Sequence, residues 1–321
     1  MMRVLVLHSD VGPEAAPDDL DTLVAAGAVA QALQASGYSA ELAPFVPQRR
    51  RMERHLRDAD AVFNLVESVM GTDSLAAAAP ALLEDLGTAF TGSAAAPIAL
   101  AGDKPLAKRM LRAADLPTPD WTEPPDWQGL DPARHYIVKS ATEDASLGLD
   151  DEALVCGPDQ VAARARASEE CHGGRWFAEA YVEGREFNVA LLEVDGAWRV
   201  LPIAEMCFDD WPAEKPKIVG YRAKWDEASD EAVRTVRSFG LEAHSPALAA
   251  MLADFSVRAC RLFGMRGYAR VDFRVDGQPV ILEVNPNPCL DPKAGFAAAG
   301  AEAGLTYEAL ITHIVDAALR C

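Results

Sequence analysis

The stretch from Gly264 to Leu290 constrains this chain more than any other. It reads Tyr268-Ala269-Arg270-Val271-Asp272-Phe273-Arg274-Val275, then Asp276-Gly277, then, after Gln278, Pro279-Val280-Ile281-Leu282-Glu283-Val284-Asn285 and Pro286-Asn287-Pro288. Apolar residues alternate with Arg270, Asp272 and Arg274, Asp-Gly supplies a two-residue turn, and alternation resumes through Asn285, which is the pattern of a β-hairpin. Strand positions two apart share a face, so Arg270 lies beside Asp272 and Glu283 beside Asn285. Two neighbouring carboxylates repel unless a cation lies between them, and Mg²⁺ takes one or two carboxylates together with substrate phosphates. The same alternation also describes a half-buried strand pair with a solvated polar face, which is the commoner case. Pro286-Asn287-Pro288 shifts the balance, because a rigid turn fixing an acid and an amide at a strand end is unusual in a plain solvated edge.

With 321 residues, half of them hydrophobic, the chain is long enough for two or three compact units with proper interiors. Lys+Arg 30 against Asp+Glu 49 gives a net charge of -19, which argues against nucleic acid and anionic membrane as partners. Any anionic ligand therefore needs a local cluster of cations. The first strand begins at Arg3 with no charged-then-apolar leader before it, and no apolar run approaches the roughly 20 residues of a membrane span, so a cytoplasmic protein is expected. The cysteines at 156, 171, 207, 260, 289 and 321 form no Cys-x-x-Cys pair and the histidines no zinc-like spacing; only Cys289, after the hairpin, stands near a candidate site. Walker A, Gly-x-Gly-x-x-Gly and Gly-x-Ser-x-Gly patterns are all missing.

Upstream, Arg3-Val4-Leu5-Val6-Leu7 is a buried parallel strand, Asp19–Ser36 a helix closed by Gly37, and Ser39–Leu42 a second strand, which makes a βαβ unit. A third strand, Ala61–Val66, leaves Glu67 just past its carboxyl end, where open α/β sheets bind ligands; Glu67 is a substrate-amine candidate or a solvated loop acid. Gly102-Asp103-Lys104-Pro105 begins a helix that Asp103 caps, with Lys104 and Lys108 on one face, an arrangement that usually means solvated lysines. Tyr136–Lys139 is a strand followed by the small-residue loop Ser140–Leu149, whose amides suit phosphates but which also carries Glu143 and Asp144. Trp176–Val182 and Glu183–Leu192 read as strands, the second turning at Asp195-Gly196. Leu248, Met251, Leu252, Phe255, Ala259, Leu262 and Phe263 recur at helical spacing, and the tail from Ala298 is helical.

Arg-x-Asp on one strand and Leu-Glu-x-Asn-x-x-Pro on the next resemble the metal-binding core of the ATP-grasp superfamily, in particular its D-alanine–D-alanine ligase-like branch. Lys104, Lys139, Glu179–Glu186, Lys224 in Tyr221-Arg222-Ala223-Lys224-Trp225, Arg270–Asp272 and Glu283–Asn285 stand in that family's order. The resemblance implies an α/β and α+β protein with an ATP-grasp fold: a Rossmann-like unit over 1–95, a central unit over 96–182 and a C-terminal unit with the metal site over 183–321. It implies ATP and two Mg²⁺ ions, with Mn²⁺ as the substitute, held by Asp272, Glu283 and Asn285. It places Lys104, Lys139 and Lys224 on phosphates, Glu179 and the Val182 backbone at the adenine edge, and Glu186 on the ribose hydroxyls. Arg270 then serves catalysis, Ser140–Leu149 covers phosphates as a flexible loop, and Glu67 meets the substrate.

The implied reaction joins a carboxylate to an amine of an amino acid or small peptide through an acyl phosphate, with a homodimer as the expected assembly. Two segments depart from the dipeptide ligases, His8-Ser9-Asp10-Val11-Gly12-Pro13 and Cys289-Leu290-Asp291-Pro292-Lys293, so a substrate pair other than two D-alanines is expected. The alternatives are a D-alanine–D-alanine ligase proper, an ATP-grasp phosphotransferase and a nucleotide-binding regulator without turnover.

Overall fold

The computed structural model describes residues 1–12, 15, 17–213 and 215–320; Pro13, at the end of the segment read after the first strand, and Cys321 lie outside them. Three sheets follow one another along the chain. The first joins β1 (Arg3–His8), β2 (Ser39–Pro44) and β3 (Ala61–Leu65) in the parallel order β2-β1-β3. Helix Pro17–Ala35 crosses from β1 to β2 and closes through Gly37 at φ +88°, a left-handed position that suits glycine. β3 is buried along its whole length, so the chain meets solvent only beyond it, at Glu67.

The second sheet holds β4 (Trp121–Thr122), β5 (His135–Ser140), β6 (Leu154–Cys156) and β7 (Trp176–Ala180) in the antiparallel order β4-β7-β5-β6. Val161 and Ala165 of helix Gly157–His172 cover its Tyr136, Val138, Trp176 and Ala178.

The third sheet contains β8 (Arg185–Val194), β9 (Ala197–Val200), β10 (Ala204–Phe208), β11 (Thr235–Ser238), β12 (Tyr268–Asp276) and β13 (Gln278–Pro286). Its order is β11-β10-β8-β12-β13, with β9 on β8. Leu252, Ala259 and Phe263 of helix Pro246–Phe263 pack on Val189, Val271, Phe273 and Ile281, so the apolar stripe read at helical spacing covers one face of this sheet. A second core unites the first sheet with the third: Val4 and Phe63 meet Leu192, Tyr268 and the Ile311 and Ile314 side chains of helix Tyr307–Leu319. Among the described residues no helix is long and apolar enough to cross a membrane.

The hairpin differs from its sequence reading in two ways. The register pairs Asp276 with Gln278 and closes around Gly277 at φ +72°, tighter than a two-residue Asp-Gly turn. The register also slips once, since Asp272 faces Glu283 but Phe273 faces Ile281, which leaves Leu282 as an extra residue. A bulge of this kind reverses the side on which later residues point. It lets Ile281 enter the core opposite the face that carries Glu283 and Asn285.

Candidate active site

One face of the third sheet is polar by construction. Arg270 faces Asn285, and Asp272 faces Glu283 on one side and Asn188 on the other. Asp272 accepts hydrogen bonds from Arg270 Nε at 2.8 Å and Nη2 at 2.9 Å, from Asn188 Nδ2 at 2.8 Å and from Asn285 Nδ2 at 3.0 Å. Its charge is shared among four N–H donors of three side chains, and the forked Arg270 contact fixes that guanidinium in plane. Glu283 is different, since its ion pair is with Lys104 at 3.3 Å. Burial opposes its ionisation, but Lys104, Lys139, Lys224 and Arg270 together hold its carboxyl down at about 2.

Arg270 belongs to β12 of this sheet, and the other three cations come from three further elements. Asp103 caps helix Lys104–Ala113 by accepting from Leu106 N at 3.0 Å, which sets Lys104 in the first helical turn. Lys104 Nζ then donates to Asp144 Oδ1 at 2.7 Å and to the Glu143 carbonyl at 2.9 Å. Lys139, near the end of β5, donates to Glu179 Oε1 at 2.6 Å. Lys224 lies on the short helix Tyr221–Trp225, open to solvent and within electrostatic reach of Glu283, Asp272 and Glu186; burial among protein atoms and Arg270 push it below the usual lysine range.

Glu179 itself is buried on β7 between Lys139 and Lys108, which forms an ion pair with it. Burial works against its charge, and the two lysines overcome that and keep the carboxyl below its ordinary value. Its free carboxylate edge is thus committed to cations in this state. Val182 sits half-buried in the link from β7 to β8, and Glu186 on β8 pairs with Arg274 at 2.7 Å. Burial raises the Glu186 carboxyl in spite of Arg274.

Glu67 joins this region from the first sheet. Ser9, buried at the end of β1, accepts from the amides of Glu67 at 3.1 Å and Ser68 at 3.0 Å and so fixes the turn after β3. The Glu67 side chain is open to water but stands among protein atoms near Asp21, Asp73 and Asp144, and burial with those acids raises it to about 8, Arg270 opposing. Solvent at an exposed side chain moderates such a shift. Asp291 accepts from Lys293 N at 2.6 Å, and Cys289 donates its thiol to Asp21 at 3.0 Å.

The loop after β5, read as a flexible phosphate cover, makes hydrogen bonds to two other segments. Asp73 N donates to Glu143 Oε2 at 3.0 Å, Asp144 N to Asp73 Oδ2 at 2.8 Å, and Trp225 Nε1 to the Ala145 carbonyl at 3.1 Å. The Glu143 carboxylate accepts the first of these bonds and the Asp73 carboxylate the second.

Several participants escaped the sequence. Lys108 was grouped with solvated lysines, yet it is fully buried and donates to Thr118 Oγ1 at 3.0 Å and the Leu282 carbonyl at 3.3 Å. Its position among the buried Pro105, Ala107 and Leu111 of one helix face was the available signal. Asn188, two residues after Glu186 on β8, could have been found by the same period-two rule that paired Arg270 with Asp272. Asp73 and Ser9 carried no such signal.

The donor set suits a hard cation. Asp272 and Glu283 offer oxygens across one strand pair, and Asn285 lies two residues from Glu283 with an amide oxygen to turn toward an ion. Among the described residues no group of three or more His, Cys, Asp and Glu side chains converges, so a metal here relies on Asn285 and on phosphate oxygens as well.

Comparison with known proteins agrees with this layout. Residues 134–316 match the family model described as the D-ala D-ala ligase C-terminus. The D-alanine–D-alanine ligase of Halorhodospira halophila is 33% identical over 324 residues, covering 99% of this chain and 96% of that protein. An uncharacterized Sinorhizobium fredii protein is 34% identical over 82% of this chain and 76% of its own length. The crystal structure of the Bacillus anthracis D-alanine–D-alanine ligase complexed with ATP superposes with a TM-score of 0.76 at 20% identity, covering 100% and 98% of the two chains, which establishes the ATP-grasp fold. Matched across its third sheet by the family model and along nearly its whole length by a relative, this chain belongs to the D-alanine–D-alanine ligase family of ATP-grasp carbon–nitrogen ligases.

Proposed function

We propose that the protein activates a carboxylate with ATP and transfers the acyl group to the amine of an amino acid or small peptide, with a pair other than two D-alanines preferred. The observation that carries this reading is the excess of cations at Glu283, with Lys104 paired to it at 3.3 Å and Lys139, Lys224 and Arg270 close enough to help hold it ionised. Such an excess suits a ligand that brings more negative charge than one carboxylate, as a triphosphate does. The donor carboxylate attacks the γ-phosphorus, the bond to the β-phosphate oxygen breaks, and ADP leaves. The acceptor amine then attacks the acyl carbon, loses a proton, and expels inorganic phosphate. Arg270, fixed by Asp272, offers its remaining guanidinium edge to the carboxyl oxygen as charge develops there. Lys104, Lys139 and Lys224 hold phosphates, Glu179 and Val182 meet adenine, Glu186 meets the ribose, and Glu67 receives the substrate ammonium. Mg²⁺, which Asp272, Glu283 and Asn285 would hold, neutralises phosphate charge when bound. On this reading the three units meet near residues 95 and 182, and small molecules are the partners.

A second reading, a D-alanine–D-alanine ligase proper, is favoured by the name of the Halorhodospira halophila relative. ADP release and amide mass, measured with pooled amino acids and with D-alanine alone, separate the two. Strong D-alanyl-D-alanine synthesis selects the second. Phosphorylation of an alcohol with no amide formed overturns both.

A further inference from the structure

The polar face of the third sheet holds one more cation that the proposed reaction leaves idle. Met206 of β10 faces Arg237 of β11 and Glu186 of β8, so Arg237 projects from the same side as Glu186, Asp272 and Arg270. Its strand neighbours Val236 and Ser238 are exposed on the other side. The guanidinium packs on Gly295, with Nη2 3.6 Å and Nε 3.7 Å from where a Cβ would stand. Nε is buried without a hydrogen-bond partner. Among the described residues the charged group close enough to act on Arg237 is Arg270, another cation.

Acids are not scarce in a chain with 49 of them against 30 cations, and Arg274, on the same face, has Glu186. A half-buried guanidinium with an unmade hydrogen bond and a like charge nearby is costly unless an anion completes it. The sheet order shows which anion. Arg237 lies on the edge strand β11, Glu283 with its Lys104 partner lies on the opposite edge strand β13, and Arg270 stands between them on β12. Phosphates fall on the Lys104 side and the reacting carboxyl falls at Arg270. The remaining anion of a ligation is the carboxylate of the acceptor.

We propose that Arg237 is a specificity-determining residue that binds the free carboxylate of the acceptor amino acid or peptide, at the end away from its attacking amine. This assignment rests on the ligase reading. A planar fork matches a carboxylate and rejects an uncharged isostere, so the protein selects acceptors that end in an acid.

The test begins with pairwise incubation of amino acids with ATP and Mg²⁺, reading ADP and amide mass to find a working acceptor. That acceptor and its carboxamide are then compared in the wild type, in Arg237→Met and in Arg237→Lys, with melting temperatures as the folding control. The carboxamide is expected to have a kcat/KM about 10- to 100-fold lower in the wild type, the span of a charge-assisted hydrogen bond. Arg237→Met should raise the acceptor KM by a similar factor and erase the preference, leaving the ATP KM and the kcat at saturating acceptor near wild type, with Arg237→Lys in between. A wild type indifferent to the carboxamide, or an unchanged acceptor KM in Arg237→Met, overturns the assignment alone. If Arg237→Met does not fold, Arg237→Lys decides, and an acceptor KM and carboxamide preference unchanged in it overturn the assignment. No product from any pair overturns the ligase reading and this assignment with it.

Discussion

Asp272 and Glu283 face each other across one strand pair but differ in how their charge is balanced. Asp272 is satisfied by Arg270, Asn188 and Asn285, whereas Glu283 is ionised by a field of lysines and Arg270. Glu283→Gln should therefore lower turnover by about 10²–10³, the scale of one preorganised electrostatic contact, and lower the melting temperature modestly at neutral pH, because the ionised acid offsets repulsion among its cations; wild-type turnover in that variant would return the hairpin to a solvated edge. Lys108 has the opposite balance, being buried against Glu179. Lys108→Met leaves Glu179 with Lys139 alone and should cost on the order of 3 kcal/mol in denaturant unfolding, where a surface lysine would cost almost nothing. Glu67 carries a pH signature. A carboxyl raised to about 8 binds a proton in the fold that the unfolded chain has released, so its contribution is complete below its ordinary value of 4.5 and is lost as pH rises through about 8. Melting temperature should fall between those limits less steeply in Glu67→Gln than in the wild type. The same variant should raise the amino-acid KM about tenfold and spare ATP affinity, since a substrate ammonium needs the ionised form. Identical melting profiles would remove the raised carboxyl.

At the scale of elements, the loop after β5 is a strap held by its own acids. Asp144 occupies Lys104 Nζ at 2.7 Å, and Glu143 and Asp144 both bond Asp73, which follows the first sheet in the chain. A nucleotide that uses Lys104 must displace Asp144. Asp144→Asn should bind ATP with Mg²⁺ several-fold more tightly by calorimetry, since a neutral amide competes less well for an ammonium. It should also be cleaved faster within 140–149 by protease when nucleotide is absent, and protected when ATP is added. Weaker ATP binding in Asp144→Asn would mean the acid assists the nucleotide instead of competing with it. The bulge at Leu282 acts on a second element, because with it Ile281 fills the core on one side while Glu283 meets Lys104 on the other.

For the whole molecule, the cores are unequal partners. The first and third sheets share a core through Tyr268, Ile311 and Ile314, while the second sheet keeps its own around Val138 and Trp176. Ile314→Ala, at a site 1% exposed, should cost about 2–5 kcal/mol and loosen both the first and third sheets in hydrogen exchange, leaving amides of the second sheet near their original protection. Loosening confined to the helix Tyr307–Leu319 would show that this core does not couple the two sheets. A second sheet with its own core can move against the other two sheets, which suits a clamp that closes on a ligand.

By itself the sequence determined what depends on neighbours along the chain. The period of two put Arg270 beside Asp272 and Glu283 beside Asn285, Asp103 announced the helix carrying Lys104, and the apolar stripe of helix Pro246–Phe263 foretold the covered face of the third sheet. Only the tertiary structure decided what depends on residues that are distant in sequence. Lys108 reads like any helical lysine until Glu179, 71 positions on, is packed against it. The strap's acids looked like loop residues until Asp73, 70 positions before Glu143, met them. Arg237 lies on a four-residue strand whose pattern says nothing of a site, and its face is known only through β10 and β8. Periodicity fixes which side of its own element a residue takes, whereas the charge or partner it finds there is set by which elements the fold brings to that side.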